Sequence, residues 1–392
     1  MLRRIGIYST QYLRRMEAFL RKGIRVMKKY IHEREDWPSF IFEESLIKNA
    51  VISLHGAVGR LYGKLDALGF DVQSELLLNT VSDEVITTSE IEGESLNRSS
   101  VRSSVAERLG IEIAGLAYVS PDKSAEGIID IALDATQNCS SPLTEERLFA
   151  WNAALFPTEY SGLRKITVGE YRKEDISILS GAMGKEKIHY IAPAPKNVPE
   201  EMNRFLFWVE NIHNIDPYVK AAIAHLWFES IHPFVDGNGR IGRAIVDMLL
   251  ARAENSSERY YSPSAQMLSE RRDYYKELEL ASGYLGDTTR WINWFLSCIM
   301  RAVKFSDDRL EISKHKARLF ERIRSIPINP RQVLMLNALI EGFDGNLTTK
   351  KWAKICKCSH DTALRDINDL IAKKMLTCSA KGGRSTSYEL QY

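Results

Sequence analysis

The chain has 392 residues, 27% of them charged and 44% hydrophobic, which suits a soluble globular protein of two to three domains with a proper core. No run of eighteen apolar residues occurs, so a helix crossing a membrane is not expected. The net charge of +2 is unevenly spread: residues 1–30 carry nine Lys/Arg against one acid, residues 330–392 carry ten against six, and the stretch between them is acidic, which points to different partners for different parts.

Residues 1–30 form a basic extension. It lacks the apolar core and small-residue cleavage site of a signal peptide. A basic membrane-surface helix is conceivable, but the extension reads better as a disordered arm or as sequence upstream of a start at Met27. From Trp37-Pro38 the pattern becomes domain-like. Leu46, Ile47, Ala50, Val51, Leu54 and Val58, continued by Leu61, Leu65 and Leu68, predict a first helix with Gly69 as its C-cap. A second helix is predicted over about 75–91, with Thr80 or Asp83 as a cap partway along and Gly93 as its stop. A third carries Val101, Val105 and Leu109. Together these make a helical region over 31–115.

A helical core over 116–305 follows. Helices are predicted at 116–140 and 143–156, then loops around Ser161-Gly162-Leu163-Arg164 and Val168-Gly169-Glu170-Tyr171-Arg172. Residues 176–192 leave helix grammar and predict a short hairpin. Helices return at 202–212, 219–231, behind Ile241, at about 266–281 and at 289–304. A charged linker helix covers 306–328. In 329–392, three short helices (330–342, 348–356, 360–374) precede a hairpin with Lys381 and Arg384 at its tip, the pattern of a winged helix-turn-helix. The fold class is therefore mainly α with a small β-hairpin and a winged tail. Five scattered cysteines (Cys139, Cys298, Cys356, Cys358, Cys378) argue for reduced thiols and a cytoplasmic protein. Cys356, Cys358 and His360 do not have the spacing of the usual zinc sites.

The stretch that carries chemistry is His232-Pro233-Phe234-Val235-Asp236-Gly237-Asn238-Gly239-Arg240-Ile241-Gly242-Arg243. Glycines before a helix let backbone N–H groups close on an anion, and the helix N-terminus favours negative charge. Arg240 and Arg243 lie three apart, and two guanidinium forks suit a polyphosphate. Asp236 helps bind an anion only through a cation, and Mg²⁺ bridges carboxylate and phosphate in this way. His232 is the side chain with a pKa suited to taking a proton near neutrality. The overlap with G-x-G-x-x-G is a decoy, because a helix rather than a strand precedes it.

His232–Arg243 resembles the signature of the Fic family, H-x-F-x-[DE]-G-N-G-R-x-x-R, with every fixed position met. The resemblance extends over about 37–305, and Thr88-x-x-x-Glu92-Gly93 is similar to the family's inhibitory motif. It implies transfer of AMP from ATP to a Tyr, Thr or Ser hydroxyl of a target protein. On that mapping His232 is the base, Asp236 holds Mg²⁺, and Gly237, Asn238 and Gly239 hold the α-phosphate. Arg240 and Arg243 hold the β- and γ-phosphates. The hairpin over 183–192, with Lys187, Ile188, His189, Tyr190 and Ile191, is similar to the family's flap, which registers the target by strand addition. Tyr274 and Tyr275 stand where the family has adenine-contacting aromatics, with core tyrosines as the alternative reading. Thr88, Glu92 and Gly93 imply autoinhibition through a Glu92–Arg243 pair. The tail resembles the winged-helix module of some members, and residues 329–392 suit either DNA or a protein contact. The resemblance also admits a homodimer. The competing functions are a DNA-binding regulator that uses the core as a nucleotide sensor, or a Fic enzyme of UMP-transfer, phosphoryl-transfer or de-AMPylation type.

Overall fold

The computed structural model describes residues 30–111, 123–180, 187–283, 287–324, 326–340, 345–378 and 386–391. The N-terminal arm up to residue 29, residues 116–122, flap residues 183–186 and the hairpin tip with Lys381 and Arg384 lie outside them. The protein is mainly α-helical and divides into two compact units between Phe305 and Ser306. Among the described residues no helix is long and apolar enough to cross a membrane.

Helix α1 (Glu44–Asp66) buries Ile47, Leu54, Val58, Leu61 and Leu65, one stripe of its cylinder. Helix α2 (Phe70–Ile91) starts five residues before the predicted point. Gly69 is its N-cap rather than the C-cap of α1: its carbonyl accepts the Val72 and Gln73 N–H groups. Thr80 and Asp83 are interior to α2, not caps, because the Gly69 start and the tertiary packing of Leu78, Val81 and Val85 carry the helix through them. Helix α3 (Arg98–Leu109) opens on Asn97, whose side chain accepts the Ser100 N–H. Helices α4 (Lys123–Gln137) and α5 (Glu145–Leu155) complete this layer.

Two short antiparallel pairs follow, β1 (Tyr160–Ser161) with β2 (Arg164–Lys165) and β3 (Ser177–Ser180) with β4 (Lys187–Ile191). The second is the hairpin expected from its apolar alternation, with a register shift between Ile178 and Leu179. Helix α6 (Val198–Asn211) leads to the centre of the unit. There α7 (Pro217–Ile231) and α8 (Asn238–Glu254) pack against each other and are buried on nearly all faces. Asp216 caps α7, accepting the Tyr218 and Val219 N–H groups, with Pro217 at the first helical position.

The helix predicted over 266–281 is broken into α9 (Pro263–Ser269) and α10 (Arg271–Ala281) at Glu270, whose carboxylate is held by Arg301. Helix α11 (Thr289–Arg324) runs unbroken through both the predicted 289–304 helix and the charged linker. In the second unit α12 (Pro330–Ile340), α13 (Thr349–Ile355) and α14 (His360–Ala372) pack around Trp352, Ile367 and Leu370. The antiparallel pair β5 (Leu376–Cys378) and β6 (Tyr388–Leu390) closes it. On α14, Leu364 is exposed and Ala363 is buried.

Candidate active site

The signature residues span the junction of α7 and α8. His232 is the C-cap of α7, in the left-handed region at φ 52°, and is 7% exposed. A side chain bearing a Cβ is strained there, so the surrounding structure must enforce it. Arg172 does so. Its buried guanidinium donates to the carbonyls of His232 (2.7 Å), Ile231 (3.3 Å), Pro193 (2.6 Å) and Glu174 (3.0 Å). Its own backbone N–H donates to Pro233 O at 2.9 Å. Burial pulls Arg172 down to about 10, against the nearby carboxylates that favour its charge. Arg172 was visible in the sequence only as one cation in a loop.

Asn238 is 2% exposed, and its amide bridges Phe234: Nδ2 donates to the Phe234 carbonyl (2.8 Å) and Oδ1 accepts the Phe234 N–H (2.9 Å). It therefore braces the loop from within. Asn152, fully buried, does the same from α5, donating to Asp236 O at 3.1 Å and accepting Gly169 N–H at 3.0 Å. Sequence reasoning missed it; its signal was a polar residue on a buried helix face. Gly237 has φ 88°, and a Cβ there would come within 2.8 Å of Leu155 Cδ1. The Asp236 side chain is partly exposed; Oδ1 accepts Gly237 N–H at 2.6 Å and Oδ2 accepts the Ser161 hydroxyl of β1.

Both arginines are buried and occupied by the end of α2. Arg243 donates through Nε to Thr88 Oγ1 (2.7 Å), and through Nη2 to Thr88 O (2.9 Å) and Glu92 Oε1 (2.8 Å). Burial disfavours its charge, but the Glu92 carboxylate overcomes this and holds Arg243 above its usual value. Arg240 donates to Glu94 Oε2 at 2.8 Å and lies over the Phe156 ring, 5.2 Å from its centroid. The geometry comes from the way α2 ends. Gly93 is at φ 87°, its N–H bonds Glu90 O, and the Glu94 N–H bonds Ser89 O, which is a Schellman cap. That turn aims Glu92 and Glu94 at α8. A Cβ on Gly239 would stand 2.3 Å from Glu92 Oε1, so the glycine lets the carboxylate lie across the N-terminal turn of α8. An anion would dock at this same place.

The other predicted residues are spread around this centre. Tyr274 is not open to a ligand: it is 1% exposed, its hydroxyl meets His225 Nε2 at 2.8 Å, and its ring packs on Trp294. In this structure Tyr274 stands in the core, its ring covered by the aromatic cluster around Trp291. Tyr275 is partly exposed and donates to Ile91 O at the end of α2, at 3.3 Å. On β4, Lys187 and His189 pair with Glu279 of α10 at 3.3 and 2.9 Å. Tyr190 is buried and donates to Ser230 O at 2.8 Å, tying the strand to α7 two residues before His232. Ile188 is half-buried and Ile191 more exposed. Among the described residues no group of three or more His, Cys, Asp or Glu side chains is gathered for a metal.

Residues 142–250 match the Fic/DOC family, and residues 30–111 match a domain of unknown function, DUF4172. A protein adenylyltransferase Fic from Drosophila virilis is 31% identical over 132 residues, covering 33% of this chain and 24% of that protein. One from Nematostella vectensis is 31% identical over 116 residues, 29% of this chain and 25% of its own. The chain thus spans about a quarter of the length of these relatives. Among solved structures, a Fic family protein from Desulfovibrio desulfuricans is similar with a TM-score of 0.50 at 21% identity, over 87% of this chain and 95% of its own. A Fic domain containing signaling protein from Bacteroides thetaiotaomicron gives 0.51 at 20% identity, over 67% and 97%. These two likenesses concern the fold.

Proposed function

Residues 142–250 are a Fic/DOC-family domain, and from that premise we propose that the chain is a protein adenylyltransferase, held inactive by the end of α2. The observation that carries the reading is the Glu92 carboxylate lying on Gly239 and Arg243, where a nucleotide phosphate would seat. An anion site already filled by the protein's own anion is an inhibited anion site. Glu94 adds a second contact, on Arg240.

With both arginines released, they bind the outer phosphates of ATP, and the N-terminal turn of α8 with the Gly237–Gly239 backbone faces the α-phosphate. Asn238 keeps that backbone in shape. His232 takes the proton of the target hydroxyl, whose oxygen bonds the α-phosphorus as the bond to pyrophosphate breaks. The residues present fit Mg²⁺: Asp236 offers one partly exposed carboxylate, and magnesium is typically held by one or two carboxylates with phosphate oxygens and water. Bound there, the ion would neutralise phosphate charge. Strand β4, with Lys187, Ile188 and Ile191 at or near the surface, is the edge on which a target segment would add.

Incubation with α-labelled ATP and cell lysate tests this, comparing the native chain, Glu92→Gly and His232→Ala. Label on protein with Glu92→Gly and none with His232→Ala is expected. No label with Glu92→Gly would sink the reading.

A second reading concerns 329–392. Lys351, Lys354 and Lys357 on and after α13, with Arg365 on α14, are exposed on a helix-turn-helix, which suits a nucleic-acid backbone. A gel shift at two salt concentrations tests it; binding that does not weaken with salt argues for another partner.

A further inference from the structure

His232 takes its position from α7, and two other titratable side chains of that helix lie one and two turns before it, Glu229 and His225. Both are buried against α8. The space for them is made by Gly242: a Cβ there would meet Glu229 Oε1 at 2.9 Å and His225 Nδ1 at 3.3 Å. His225 is satisfied on its other nitrogen by Tyr274. Glu229 Oε1 is buried without a hydrogen-bond partner among the described residues; the His232 imidazole is supported by the Glu229 backbone carbonyl, its Nδ1 has no bond of normal geometry, and Glu229 Oε2 stands 3.8 Å from that nitrogen. A carboxyl and an imidazole that face one another in the core, each short of a well-formed hydrogen bond, are costly to keep and call for a use.

We propose that Glu229 is the positioning residue of the base: as a carboxylate it accepts Nδ1–H of His232, turns Nε2 toward the target hydroxyl and holds the charge of the imidazolium that forms. The inference rests on His232 being the base of the proposed reaction. The target O–H breaks and its proton moves to Nε2. The proton on Nδ1 stays with His232, now hydrogen-bonded to Glu229. Glu229 gives up its own proton to solvent before the step.

The surroundings make that last event the limiting one. Burial, then the charge of Glu92, holds Glu229 up to about 8, with Arg243 pulling the other way. Burial, then Arg172, holds His232 down to about 4, with the Glu229 backbone carbonyl and Glu92 opposing. The charged and titratable groups facing the pair are thus Glu92 from the end of α2, Arg243 from α8, His225 from α7, Tyr274 from α10 and Arg172 from the loop before β3. Withdrawal of Glu92 frees Arg243 and also removes a charge that keeps Glu229 neutral. One side chain therefore controls nucleotide seating and base strength together.

The test is a ¹⁵N-imidazole NMR titration of the full chain, with the His232 signals assigned from His232→Ala. It reads the pair without any turnover, so it separates this inference from the activity. In the native chain His232 should report an inflection near pH 8 from Glu229. In Glu229→Gln that inflection should vanish, while protonation of His232 near pH 4, where Glu229 is already neutral in the native chain, should stay in place. Identical titrations in the two proteins would overturn the proposal. Where Glu229→Gln does not fold, Glu229→Asp withdraws the carboxylate by one methylene and the same loss of coupling is expected. In the Glu92→Gly background, Glu229→Gln should lower kcat at least tenfold and leave KM for ATP in place. A raised KM with unchanged kcat would overturn it equally.

Discussion

Glu92 and Glu94 leave the same turn two residues apart, and each meets an arginine of α8, yet the two ion pairs differ in kind. Arg243 is 2% exposed and the Glu92 side chain 20%, and Thr88 adds two further acceptors. Arg240 is also buried, but the Glu94 side chain is 51% exposed. The first pair is shielded and over-determined; the second is open to water on its acidic side, where hydration and salt compete with it. The same residue types one helical turn apart are therefore unequal locks, and burial with a third partner makes the difference.

Substitutions can break this ranking. Glu92→Gly removes a shielded, charge-assisted bond of about 2–3 kcal/mol, so ATP affinity by calorimetry and label transfer should rise about 30- to 160-fold. Thr88→Val keeps the carboxylate but leaves Arg243 Nε without its acceptor, and about a tenfold rise is expected in the same assays. Glu94→Gln should give no more than about fivefold, fading above physiological salt. Equal effects of Glu92→Gly and Glu94→Gln would overturn the comparison.

A separate expected effect is on stability against pH. Glu229 is raised from 4.5 to about 8, so its contribution is full below about 4.5 and is lost as pH rises through 8. His225 and His232 are lowered from 6.5 to about 3 and about 4; theirs is full above about 6.5 and lost as pH falls. Glu229→Gln should thus gain Tm relative to the native chain between pH 4.5 and 8. A difference that does not change with pH would show that Glu229 ionises normally.

Periodicity made most helices legible, because one buried stripe of a surface helix leaves a 3.6-residue pattern. It failed where tertiary forces moved a boundary. Gly69 reads as a stop and is a start, Glu270 splits a continuous pattern when Arg301 takes its carboxylate, and α11 runs on through the charged linker. The signature loop was legible because its glycines, histidine and arginines stand together in sequence. Tyr274 was ambiguous, since an aromatic side chain serves core and ligand alike.

By itself the sequence determined that His232, Asp236, Arg240 and Arg243 share one loop and one helical turn, because spacing along a helix fixes which side chains leave it together. Only the tertiary structure decided what holds that loop and what fills it. Arg172 and Asn152 brace it across 60 and 84 residues, and Glu92 reaches Arg243 across 151. Such contacts leave no periodic trace in the chain. They exist because burying a polar group obliges the fold to bring it a partner from wherever one can be found.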